Sequence, residues 1–461
     1  MSPLLNRELP AEDVWYSRPE QVPQIQRLSD DVRFEMQVVS EVMPFRVSGH
    51  VVENLIDWDK APDDPIFRIT FPRRNMLEPR AFDLVATAMK RSASQGEVRR
   101  LAASIYRQLN PHPGDQTLLN SVFADDVEIE GLQHKYGETV LYFPSEGQTC
   151  HSFCTFCFRW AQFVHEPDLR IAMSGSEQLV EYLLDRPQVT DVLITGGDPF
   201  VIKSRRLRSL VEPLLTPELE RVSTIRFGTK ALTFRPQRFL SDSDAGELLE
   251  LLRLIVARQK HLALMVHFNH WREVEHPRAV AAIHALRDAG AVLRSQSPVL
   301  RGINDDPEIW ARMWRSQVSH GIAPYYMFVA RDTGAKSSFD LPLVRVWTVY
   351  RDAVRQVSGL ARTARRPVMS ASPGKVEFLG PVEAAGERVF ALRFLQARDP
   401  TWCNRLFFAR ADEDATWFGD LKPAFGEDKF FFEEPFAELV AARRRRRSGE
   451  PASRSLADQD A

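Results

Sequence analysis

The feature that most restricts this chain is a repeated alternation between residues 139 and 357. Short apolar runs at 139–143, 191–195, 222–227, 262–266, 291–295 and 325–329 read as strands. Between and after them lie helical stretches ending near 184 and spanning 205–215, 247–258, 277–289, 308–318 and 343–357. Pro277 and Gly290 bracket one of these in the expected way, proline in the first turn and glycine just past the end. Ser174-Gly-Ser-Glu177 reads as a capping box for another. Strand then helix, six times, with mostly apolar strands, argues for a parallel sheet covered by helices. Residues of unusual chemistry follow the strand ends: three cysteines, Gly196-Gly-Asp198, Gly228-Thr-Lys230, His267-Phe-Asn-His270, Gln296 and Arg331. Sites of (βα) barrels are built at that edge. The fold class expected is therefore α/β, a barrel or open partial barrel in preference to a doubly wound sheet.

Around this segment the chain divides into four expected parts. Residues 1–130 form a helical, charged N-terminal region broken at Pro72, Pro79, Pro111 and Pro113. It carries amphipathic stretches such as 101–109 and no catalytic constellation. Its helices either pack on the barrel or build the interface of a homo-oligomer. Residues 131–360 form the barrel. Residues 361–440 form a C-terminal extension with a short strand and turn at 365–375 and an aromatic-rich stretch. Residues 441–461, opening on five arginines at 443–447, read as a disordered basic tail.

Charge and apolarity exclude other classes. Lys+Arg 60 against Asp+Glu 62 leaves a net charge of −2, so no global field draws in nucleic acid or anionic membrane. No apolar run reaches the ~18–20 residues of a membrane span. The N-terminus lacks the basic-then-apolar order of a secretion signal. A cytoplasmic location is expected.

The chain has four cysteines, and Cys150, Cys154 and Cys157 fall within eight residues. An odd cluster of three suits metal or redox chemistry better than a disulfide framework. Three thiolates in a C-x3-C-x2-C spacing hold three irons of a [4Fe–4S] cube and leave the fourth open to an external ligand. A structural zinc site wants four closed ligands, and His151 is too close in sequence to complete one. Cys403 stands alone.

This spacing resembles that of the radical S-adenosylmethionine (SAM) enzymes, and the match extends further. Gly196-Gly-Asp-Pro199, His267-Phe-Asn-His270, Ser295-Gln-Ser297, Leu300-Arg-Gly-Ile-Asn-Asp305 and Pro324-Tyr-Tyr326 resemble, in order, stretches of the lysine 2,3-aminomutase family. The likeness runs from about Leu132 to Lys375. It implies a partial (βα)6 radical-SAM barrel and three cofactors: a [4Fe–4S] cluster on the three cysteines, SAM, and pyridoxal 5′-phosphate (PLP). In that family the reduced cluster cleaves SAM to a 5′-deoxyadenosyl radical, which takes a hydrogen from the substrate β-carbon. PLP carries the migrating nitrogen from the α- to the β-carbon. An electron donor such as flavodoxin or ferredoxin is implied as well. The extra zinc-type cysteines of some members are absent, so no zinc site is expected.

Residue by residue, the resemblance puts the SAM methionyl group at Gly196, Gly197 and Asp198, with His267 and Gln296 beside SAM and Tyr136 near PLP. Lys375, in Ser372-Pro-Gly-Lys375, lies where the family has its PLP lysine, although the family's run of glycines is shortened here to Pro373-Gly374. Arg159 lies where the family clamps the substrate α-carboxylate, a task suited to a planar, bidentate guanidinium. Members acting on lysine hold the distal ammonium with two aspartates. Here Arg331 takes the first position and Ser370 the second. An arginine facing a lysine ammonium is repulsive and suits a distal carboxylate, as in glutamate, while the adjacent Asp332 leaves a cationic substrate open. The leading expectation is a radical SAM, PLP-dependent 2,3-aminomutase acting on an α-amino acid other than lysine. The alternatives are a radical SAM enzyme without PLP that rearranges another substrate or modifies a protein side chain, with the aromatic C-terminal region recognising it, and a non-catalytic iron–sulfur protein.

Overall fold

Eleven strands share one sheet in strict sequence order. They are β1 Leu132–Tyr136, β2 Thr139–Tyr142, β3 Asp191–Ile194, β4 Thr224–Thr229, β5 His261–His267, β6 Val292–Val299, β7 Ile322–Val329, β8 Arg365–Ser370, β9 Gly374–Ala384, β10 Glu387–Ala397 and β11 Leu406–Arg410. The computed structural model describes residues 13–124, 127–164 and 166–448. Strands β2 to β8 are parallel to their neighbours, while β1 and β9–β11 extend the sheet antiparallel on its two sides. All six expected barrel strands are present, and β8 adds a seventh parallel one.

Helices α1 Asp30–Ser40, α2 Pro79–Lys90 and α3 Gln95–Tyr106 precede the sheet. The crossovers are α4 Glu177–Leu184, α5 Ser204–Val211, α6 Ala245–Ala257, α7 Pro277–Asp288, α8 Pro307–Ser319 and α9 Leu343–Val354. Local chemistry accounts for several of their ends. Helix α7 starts with Pro277 behind the His276 cap, and Gly290 follows its end at φ +88°. Helix α8 starts with Pro307, and Asp306 accepts the Glu308 N–H at 2.9 Å. The capping box at Ser174 does not form: Ser176 is the cap of α4, and its hydroxyl makes no capping bond.

Alternate side chains such as Val140, Val192, Ile225 and Leu264 are buried in one core with helix residues such as Leu183, Leu210 and Leu251. The intervening positions, among them Arg226, His267 and Gln296, keep partial exposure on the other face. That face is strongly curved. Lys135 of β1 donates to the Ala371 carbonyl just past β8 at 2.5 Å. In a flat sheet those strands would stand about 34 Å apart at roughly 4.8 Å per strand.

The N-terminal region closes over the strand ends. Phe67, Phe71 and Val38 share a core with Trp160, Phe234, Leu300 and Phe339, which lie past β2, β4, β6 and β7. Backbone bonds fasten it to the cysteine segment: Phe153 N–H to Arg46 O at 2.8 Å and Thr155 N–H to Ile69 O at 2.8 Å. Of the two expectations for this region, the structure shows packing against the sheet. The region also contains short paired strands, Val122–Ala124 with Val127–Ile129.

Two expectations for the C-terminal part are corrected. The aromatic stretch is core material and not a recognition surface: Phe394, Trp402, Phe407 and Phe432 are buried, with Phe394 and Phe432 centroids 5.1 Å apart. The five arginines lie in a helix, α10 Glu433–Ser448. It is not a free tail, because Arg443 donates to Ser121 O at 3.1 Å and Arg447 pairs with Glu128 at 3.8 Å. The rest of the expected tail, 449–461, lies outside the described residues. Among the described residues no helix is long and apolar enough to cross a membrane.

Candidate active site

The cysteine segment leaves β2 as an irregular loop, and its shape is fixed by the glycine turn after β3. Gly197 N–H donates to Gly147 O at 3.0 Å and Asp198 N–H to Thr149 O at 2.8 Å. A Cβ on Gly197 would collide with the Thr149 carbonyl, and one on Gly196, at φ +142°, with the Gln148 amide. Both glycines are therefore required for the turn to lie flat against the residues leading into Cys150. The Asp198 carboxylate is not free for a ligand. It accepts from Phe200 N at 3.0 Å, from the Thr229 hydroxyl and from Lys230 N at 2.9 Å. Its place in the site is to hold the turn.

The three cysteines are free thiols, and burial pushes all of them up, Cys157 to about 11. Buried sulfurs that resist ionisation alone suit a group that brings its own positive charge. Among the described residues no three His, Cys, Asp or Glu side chains are gathered as ligands of a single ion. A cluster asks for a wider spacing, since each iron takes one thiolate. We expect Gly197→Ala to lose most of its iron and sulfide on reconstitution while keeping its helical circular dichroism. Retention of a full cluster would show that the close approach is not needed.

His267 ends β5, and its ring stacks on Phe156, between the second and third cysteines, at 5.9 Å. Its Nδ1 is buried without a partner, and burial with the nearby Lys230 holds the ring neutral. An orphaned buried nitrogen beside the cysteine loop fits a polar ligand there. His267 is the register partner of Gln296, and Gln296 that of Tyr326. The row ends on Lys375, whose Nζ lies 4.9 Å from the Tyr326 ring.

Lys375 enters β9 as the ladder partner of Ser370. Its Nζ donates to Gln396 Oε1 at 2.9 Å and lies 5.6 Å from the Tyr136 ring. Burial, then the guanidinium groups of Arg226 and Arg365, bring its amine down to about 7. The Tyr136 hydroxyl is buried and unpartnered. Two more basic side chains converge there. Arg398 donates to Ser372 O at 2.8 Å, Leu119 O at 2.7 Å and Asn120 Oδ1 at 2.6 Å. Lys135 lies 5.4 Å from the Tyr136 ring, and burial and the neighbouring cations hold its amine well below the usual lysine range.

Arg159 and Arg331 share one ring: their guanidinium carbons lie 5.0 and 5.3 Å from the centre of Phe158. The Arg331 terminal nitrogen donates to Pro113 O at 3.0 Å, while its Nε is buried without a partner. Gly114, at φ +70°, brings its loop over both Arg331 and Ser372; a Cβ there would stand 3.2 Å from the Arg331 nitrogen and 3.5 Å from the Ser372 hydroxyl. The neighbouring Asp332 keeps a buried oxygen without a donor. The structure thus brings together Lys375, Ser370 and Tyr136, with Arg331, which shares a ring with Arg159, close enough to Tyr136 for the two to act on each other, and the row of His267, Gln296 and Tyr326 leads from the cysteine loop to the lysine. Sequence reading missed Tyr326, Lys135, Arg398 and Gln396. Tyr326 lay inside a quoted motif, whereas the other three carry no local signal.

The fold and site define an α/β protein with a three-cysteine loop at the C-terminal edge of a parallel sheet and a buried lysine facing the same concave surface. No family model matches the chain. A protein of Aquifex aeolicus named a putative L-lysine 2,3-aminomutase is 31% identical over 405 residues, 88% of this chain and 95% of its own. The L-lysine 2,3-aminomutases of Fusobacterium nucleatum and Clostridium subterminale are 28% and 29% identical over 278 and 232 residues, covering 60% and 52% of their lengths. The chain belongs to the lysine 2,3-aminomutase family. Among solved structures, a radical SAM methyltransferase from Sphaerobacter thermophilus overlaps 64% of this chain and 94% of its own, with 13% identity and a TM-score of 0.35. So loose an overlap carries no functional argument.

Proposed function

We propose that this protein is a radical SAM, PLP-dependent 2,3-aminomutase acting on an α-amino acid with an acidic side chain. The observation that carries the chemistry is Lys375, an amine brought to about 7 inside a cationic, tyrosine-lined recess next to the row that leads back to the cysteines. The family's cofactors are a [4Fe–4S] cluster, SAM and PLP. Cys150, Cys154 and Cys157 would hold the cluster; Gly196, Gly197, His267 and Gln296 would line the SAM position, with Asp198 bracing the turn. Lys375 would hold PLP, with Tyr136 beside it. PLP is an anion, and Arg331 and Arg398 supply positive charge without a carboxylate pair among the described residues. When bound, these groups supply radical generation and nitrogen transfer. The chain's own residues do the rest: they fix the substrate, keep the lysine amine available, and exclude water beneath the N-terminal cover.

The finer fold assignment belongs here too. The seven-strand parallel run with its curl is what a partial (βα)6 barrel with one added strand would show; the cover would end near residue 130, and β8 would carry the barrel sheet past residue 360 into the extension.

Substrate choice follows from the arginine pair. Both guanidinium groups lie against Phe158, and a dicarboxylic amino acid would offer each of them one carboxylate for a bidentate contact. Arg159 would take the α-carboxylate and Arg331 the distal one, with Ser370 at the floor. A second reading has its own observation: the unpartnered Asp332 oxygen would accept from a distal amino group. Anaerobic, reduced, reconstituted enzyme incubated with SAM, PLP and 15N-labelled glutamate is expected to yield the β-amino isomer, read by NMR. Turnover of lysine in its place would establish the second reading, and turnover without PLP the PLP-free alternative.

The lysine also gives a pH test. A neutral amine is needed to take up the PLP aldehyde, so capture is expected to rise with pH through about 7 and level off above it. A rise continuing toward pH 10 would mean an ordinary lysine.

A further inference from the structure

A buried polar network lies beneath the strand ends that carry the glycine turn and His267. Lys230 follows β4 and is 8% exposed; Glu273, in the short helix Trp271–Glu275, is 0% exposed. Lys230 Nζ donates to Glu273 Oε1 at 2.5 Å, Asn269 Oδ1 at 3.0 Å and His267 O at 3.2 Å. The second Glu273 oxygen accepts the backbone N–H groups of Asn269 and His270. Asn269 then donates to Ser297 Oγ at 2.8 Å, and Asn304 to Asn269 O at 3.0 Å. On the other side the Lys230 N–H and the Thr229 hydroxyl bind Asp198. One set of bonds therefore joins the ends of β3, β4, β5 and β6.

Stability does not explain an ion pair here. Well-packed apolar side chains of similar volume hold such a position at least as well as a desolvated lysine and glutamate. What apolar residues do not supply is charge. Lys230 contacts the carbonyl of His267, whose ring stacks on Phe156 in the cysteine loop.

We propose that the Lys230–Glu273 pair is a positioning and charge-setting element for the iron–sulfur centre, holding the ends of β4 and β5 in place behind the cysteine loop and setting the reduction potential of that centre. This rests on reading the three cysteines as cluster ligands. Removing the ammonium leaves two buried carboxylates facing a centre that must accept an electron, so its potential falls. Neutralising Glu273 leaves the ammonium uncompensated, and the potential rises.

The test is a potentiometric titration of full-length reconstituted protein, following the spin signal of the reduced cluster, for Lys230→Met, Glu273→Gln and the double variant. Opposite shifts in the single variants, with the double variant nearer the parent than either, are expected. Unchanged potentials, or shifts of the same sign, overturn the proposal. Where Lys230→Met does not hold a cluster, iron and sulfide content decides: recovery in the double variant supports the pair, and equal loss overturns it. A parent protein that binds no cluster would instead defeat the cluster reading itself.

Discussion

Lys375→Ala is expected to bind its cluster and still cleave SAM, yet to make no β-amino acid, with turnover down by roughly a thousandfold or more. The basis is placement. Nζ stands at the end of the row from His267 through Gln296 and Tyr326, and burial with Arg226 and Arg365 brings it down to about 7, so that a large share of it is neutral near pH 7. A purely structural lysine would behave otherwise, since its loss would cost stability and leave turnover proportional to folded protein. Measuring 5′-deoxyadenosine and β-amino acid in the same reaction separates the two. Continued rearrangement in Lys375→Ala would move PLP to another lysine, with Lys135 the first to examine because it approaches the same tyrosine.

Arg331→Asp is expected to reverse substrate charge. The guanidinium sits against Phe158 with an unpartnered Nε. Replacing it exchanges attraction for repulsion at a partly buried position. For an acidic substrate kcat/KM should fall roughly 100-fold or more, about 3 kcal/mol. Lysine should gain affinity, helped by the neighbouring Asp332. Competition between glutamate and lysine in one reaction reads the switch directly. An unchanged preference would mean that Arg331 serves only to fasten the loop at Pro113 and that the distal group is held elsewhere.

The repetitive part of the fold was legible because its signals are local. Apolar runs marked six of the parallel strands, and Pro277 with Gly290 marked the ends of α7. The hairpin of β9 and β10 was not legible, because Gly380 and Pro381 sit inside β9 and resemble breakers; the structure accommodates them with a register shift between Phe378 and Gly380. The cover over the cysteine loop was hidden for another reason. Contacts such as Phe153 with Arg46, and the core joining Phe67 to Phe339, depend on tertiary packing that has no sequence period. The same division holds in the site. The cysteines and glycines carry spacing that reads directly, whereas Lys135, Arg398 and Gln396 are ordinary residues whose meaning comes only from convergence on Tyr136 and Lys375. The basic run at 443–447 misled because its charge suggests solvation, while the helix it forms ties Arg443 to Ser121.

The most direct test of the central claim is borohydride reduction of anaerobically purified protein with added PLP, followed by peptide mapping. Label on Lys375, with an absorption band of lysine-bound PLP that disappears in Lys375→Ala, is the expected result. A protein that cleaves SAM but carries no labelled lysine would contradict it and leave a radical SAM enzyme whose rearrangement proceeds without PLP.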